Sequence, residues 1–77
     1  MNPNEAVLKI EDEMAQTCGA LSKLIVGNTA KKVGMEKTAI ASKGDYLKLV
    51  DALSEPAAKF LGKTKAEESI KRWKMLV

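Results

Sequence analysis

Apolar residues recur every three or four positions from the start of the chain, and Val7, Ile10, Met14, Cys18, Leu21 and Ile25 line up as one stripe of a helix. At about 100° per residue, Leu8, Ala15, Gly19 and Val26 form a second strip of smaller residues beside it, so the apolar arc covers about half the circumference. A helix with so wide an arc needs neighbours on two sides. Pro3, whose fixed φ suits a first turn, predicts the start, with Asn2 as the cap and Glu5 near the positive end of the dipole. Val26, Ala30 and Val33 share a face rotated from that stripe, and the rotation coincides with "GNT" at 27–29. The pattern therefore predicts that helix 1 ends at Gly27 and that Asn28 or Thr29 caps a short second helix, which Gly34 stops.

The stretch 35–45, "MEKTAIASKGD", has the weakest periodicity; it offers a helical turn around Ala39 and Ile40, followed by a loop at "SKGD". Asp45 then caps a helix in which Tyr46, Val50, Leu53, Ala57 and Phe60 keep a helical period. Pro56 lies inside that run. Because the apolar phase is preserved across it, a kink near Ser54 is expected, with two helices meeting at a corner as the alternative. Gly62 ends the helix, "TKAE" at 64–67 reads as a capping box, and the last helix buries Ala66, Ile70, Trp73 and Val77. No stretch alternates long enough for a strand. The expectation is an all-α fold, a small bundle of four to five short helices forming a single helical domain over 1–77.

Length sharpens this picture, because a 77-residue chain buries only about 60% of its unfolded surface. Domains with so thin a core gain stability from disulfides, metals or partner chains, and one cysteine with no histidine leaves mainly the partner. The missing histidine also removes Ser/His/Asp and Cys/His catalysis and His-ligated zinc. Glu11, Asp12 and Glu13 are consecutive, so on a helix they fan out over about 200° and cannot converge on one ion; no cofactor or metal is expected. Cys18 reads as a buried structural thiol, and a lone cysteine fits a reducing, cytoplasmic setting. The longest strongly apolar run is "LIV" at 24–26, far below the roughly 20 residues of a membrane span, and the polar, acidic start does not resemble a signal peptide.

The net charge of +3 is unevenly laid out, with two lysines against four acids in residues 1–28 and six basic residues against three acids in 55–77. Such a gradient attracts either an anionic partner or the opposite end of a second copy. "LGKTKAEESIKRWK" at 61–74 contains the letters G-K-T, but a phosphate-binding loop needs a glycine five positions before Gly62, and that residue is Ala57. No nucleotide is expected.

Two functions are left. The first is a non-enzymatic protein-interaction module that self-associates through helix 1, with Val7, Ile10, Glu11, Met14, Cys18, Leu21 and Ile25 as its interface. Glu11 projects close to the stripe, so it belongs either at the rim of the core or against a lysine across an interface. The alternative is a helix-turn-helix-like nucleic-acid-binding regulator whose basic last helix sets Lys63, Lys65, Lys71, Arg72 and Lys74 on phosphates. Lys63 right after the turn glycine, where an apolar pin is usual, and Glu67 and Glu68 in the first turns weigh against it. Those two glutamates also form i,i+4 pairs with Lys71 and Arg72.

Overall fold

Asn2 caps the first helix as its sequence indicates: its Oδ1 accepts the Glu5 N–H at 2.9 Å, and Pro3 opens the first turn. The computed structural model describes all 77 residues as four helices without a strand, α1 (Pro3–Cys18), α2 (Leu21–Lys32), α3 (Lys43–Leu61) and α4 (Lys63–Lys74). The all-α bundle expected from the sequence is therefore present, with four helices. Several boundaries differ. Helix 1 stops at Cys18 rather than Gly27, because Gly19 takes φ 61° and ψ −137°, a conformation that strains any residue with a Cβ. The chain turns over Gly19 and Ala20, and α2 runs unbroken through Gly27, so "GNT" is helix interior rather than a junction. Gly34 does end α2. At φ 77° it sets up paired bonds from its own N–H to Lys31 O (3.1 Å) and from the Met35 N–H to Ala30 O (2.8 Å), which satisfy carbonyls of the last turn.

Residues 33–42 form a crossover with one hydrogen-bonded turn, Ala39 N–H to Glu36 O, rather than a further helix. Its return is fixed to α1 by the Ile40 N–H, which donates to Asn4 Oδ1 at 3.0 Å. Ser42, not Asp45, caps α3, its Oγ accepting the Asp45 N–H at 3.2 Å; Asp45 falls in the first turn, where its charge suits the dipole. α3 continues through Pro56 to Leu61 as one helix, so there is no corner there, although the Ala52 carbonyl forgoes its usual donor. Gly62, at φ 85° and ψ 155°, reverses direction in a single residue. The expected capping box is absent: α4 starts at Lys63, so Thr64 and Glu67 are already inside the helix, and no side chain caps its N-terminus.

One cluster of 14 buried residues, drawn from all four helices and Ile40, makes up the core. Tyr46, Leu49, Val50, Leu53 and Ala57 supply the α3 side, and Ala66 and Trp73 the α4 side. Ile70 and Val77, expected in the core, are half-buried and packed against it. Tyr46 is wholly buried, and its hydroxyl donates to Trp73 O at 2.5 Å. Desolvation pushes its phenol from the ordinary 10.0 up to about 12. The folded chain thus holds this proton more tightly than the unfolded chain does. Its contribution to stability is intact below the unfolded value and is lost as pH rises from about 10 towards 12. Tyr46 is the only tyrosine, so ultraviolet absorbance of the tyrosinate isolates it. Midpoints near 12 in buffer and near 10 in urea are expected, and coincident midpoints would mean that the phenol is not shielded.

Candidate functional site

The arc of α1 that the sequence marks as an interface is divided by the fold. Val7, Ile10 and Met14 are at most 1% exposed and belong to the chain's own core, packed beneath α2 and α3 rather than offered to a partner. Cys18 and Ile25 are half-buried, and Leu21 points outward. The break at Gly19 explains this: once the helix axis changes direction, residues in phase with Val7 no longer face the same side.

Glu11 is 3% exposed and has a lysine partner, though not across an interface. Lys37 of the crossover reaches over the seam between α1 and α2, donates to Glu11 Oε2 at 2.6 Å and approaches Lys23 O at 3.4 Å. The Lys37 chain passes over Gly27, where even a Cβ would be in ordinary van der Waals contact with it at 3.7 Å. Glu13, two positions on, faces the opposite way and ties α1 to α4. Its Oε2 accepts the Trp73 indole N–H at 2.6 Å and its Oε1 takes Arg72 Nη2 at 2.5 Å. The three consecutive acids of α1 therefore diverge, as helical geometry requires, and Asp12 alone among them is solvent-exposed and unpaired.

On α4 the basic residues are also divided. Arg72 is held by Glu13 and Lys74 by Asp51 at 2.7 Å, while Lys63, Lys65 and Lys71 are exposed and form no ion pair. The i,i+4 pairs expected of Glu67 and Glu68 do not form, and both carboxylates stand exposed among the three remaining lysines. Phosphate would meet a mixed surface there, not a basic stripe.

What the fold leaves open is a set of large apolar side chains, of which the sequence singled out only Leu21 as interface. Leu8 on α1 is 60% exposed, Leu21 and Leu24 on α2 are 52% and 57% exposed, and Phe60 at the end of α3 is 45% exposed. Phe60 borders a groove between α2 and α3 of about 780 Å³, floored by Ile25, Val33, Ala52 and Pro56. The helices α1 and α2 differ in charge, although Glu36 of the crossover lies beside Leu24 and Lys31. α2 contains no acidic residue, and its Lys23, Lys31 and Lys32 form no ion pair within the chain. The outward side of α1 carries unpaired Glu5 and Asp12 with a single lysine, Lys9.

No family model, curated protein or solved structure matches this chain. Function therefore rests on the surface itself. No helix is long and apolar enough to cross a membrane.

Proposed function

We propose that the protein is a non-enzymatic interaction module that works by binding protein, first of all a second copy of itself, in a reducing compartment such as the cytoplasm. The observation that carries this reading is the exposure of Leu8, Leu21, Leu24 and Phe60 on a chain whose core holds only 14 buried apolar residues. Leaving these side chains in water forgoes about 25 cal/mol for each Å² of apolar surface that a partner would cover, a large sum for so small a domain. Self-association through α1 alone is replaced by association through the outward faces of α1 and α2, since the inward stripe of α1 is occupied by the chain's own core.

The non-enzymatic part of the reading is supported by the way titratable groups are used. Where acids and bases converge, they neutralise each other as Glu11 with Lys37, Glu13 with Arg72 and Asp51 with Lys74, and each pair joins two parts of the fold. Nucleic-acid binding is the weaker reading, because Arg72 and Lys74 are already committed to carboxylates.

Sedimentation over a wide range of concentration tests the proposal. A monomer–dimer equilibrium is expected, shifted to monomer by Leu24→Lys with no loss of helical circular dichroism, because Leu24 is already 57% exposed and takes no part in the core. A wild-type chain that remains monomeric at the highest concentrations would remove the reading.

A further inference from the structure

Resting on that self-association, we infer that the two copies pair crosswise, with the acidic outward face of α1 in one copy seated on the basic outward face of α2 in the other. The two faces have complementary make-up. On α1, Leu8 stands between Glu5 and Asp12, at spacings of three and four, so the apolar side chain is flanked by two free carboxylates. On α2, Leu21 and Leu24 lead into Lys31 and Lys32, with Lys23 at the side and no acid anywhere in the helix. None of these ionic groups is used inside the chain, whereas every buried carboxylate is. Glu5 in the first turn of α1 and Lys31 and Lys32 in the last turn of α2 also suit their own helix dipoles, but Asp12 and Lys23 have no such role within the chain.

Geometry makes the pairing self-complementary. α1 and α2 are consecutive, joined by Gly19 and Ala20 alone, and packed on each other, so each copy presents one acidic and one basic helix side by side. A two-fold axis that brings α1 onto the partner's α2 brings α2 onto the partner's α1 as well, and the assembly closes at two chains. Pairing α2 with α2 would set lysines against lysines, and pairing α1 with α1 would set carboxylates against carboxylates; both are opposed by like-charge repulsion. The groove between α2 and α3 is not needed for this contact.

Two charge-reversed variants test it. The first, Glu5→Lys with Asp12→Lys, makes both faces basic; the second, Lys31→Glu with Lys32→Glu, makes α2 acidic like α1. All four positions are exposed and unpaired, so both variants are expected to stay folded, with a small loss of helix stability because Glu5 lies in the first turn of α1 and Lys31 and Lys32 in the last turn of α2. Each alone should dimerise about ten-fold or more weakly than wild type, and an equimolar mixture should recover a heterodimer, since both crosswise contacts then join opposite charges. Wild-type dimers whose strength neither reversal alters would overturn the crosswise pairing while leaving self-association standing. So would two weakened variants that fail to restore each other on mixing. A wild-type chain that never dimerises would overturn both readings together.

Discussion

Trp73→Ala is expected to unfold most of the chain under conditions in which the wild type is fully folded. The indole is 1% exposed, packs within the α3 and α4 part of the core, and donates to Glu13 across to α1. Removing a buried tryptophan costs about 3–5 kcal/mol through lost burial and the cavity left behind. That is comparable to the whole stability of a small domain, of the order of 5 kcal/mol at the low end of the usual range. Trp73→Phe separates the two contributions, because it keeps a large ring but leaves Glu13 with Arg72 as its only partner. A cost of about 1–2 kcal/mol is expected there, from the missing indole donor and the smaller ring. Urea unfolding followed by circular dichroism reads both variants. A midpoint for Trp73→Ala within error of the wild type would mean that α4 does not rest on the core as described.

The second large effect belongs to Lys37, a residue in the least regular stretch of the chain. Lys37→Met removes the cation facing a carboxylate that is 3% exposed, and an uncompensated buried charge costs about 3 kcal/mol or more. Glu11→Met should cost much less, since the Lys37 side chain, 28% exposed, can swing into water. The double variant should return close to wild type, because two apolar side chains fit a site that otherwise demands a matched pair. The asymmetry between the two single variants and their strong coupling are the measurement. Equal costs that simply add would mean that Glu11 reaches solvent without Lys37.

The helical class, the start at Pro3 under Asn2, the stop at Gly34 and the buried Tyr46 and Trp73 were legible because each depends on neighbours close in sequence. The boundary at Gly19 was not. Cys18, Leu21 and Ile25 keep the spacing of one helix whether or not the chain turns between them, and a glycine among small residues reads equally well as a close-packing position or as a break. Ser42 and Asp45 both suit a helix start, and only the position of the first turn decides that the serine accepts and the aspartate follows. Thr64 and Glu67 have the right spacing for a reciprocal cap, but that cap needs a non-helical residue at 64, and the reversal at Gly62 lets α4 begin too early. The surface was harder still. Periodicity marked Leu21 as part of the apolar arc without saying on which side of the bend it would fall, and left Leu8 in a secondary strip although it is now among the most exposed apolar residues. The partner of Glu11 lies 26 residues away in a segment with no periodicity to place it.

The two glycine reversals also bear on the order in which the chain condenses. Gly19–Ala20 and Gly62 close the α1–α2 and α3–α4 pairs over the shortest loops, at small entropic cost, whereas the Glu13 to Trp73 tie joins residues 60 apart. Local pairs are therefore expected to be formed at the folding barrier and the distant tie to form after it. Weakening that tie through Glu13 should hasten unfolding far more than it slows folding, and a slowed folding rate would reverse the assigned order. The ion pair and the indole hydrogen bond that Glu13 makes with α4 then act as a latch on a nearly finished bundle, setting how long the fold lasts rather than how quickly it is reached.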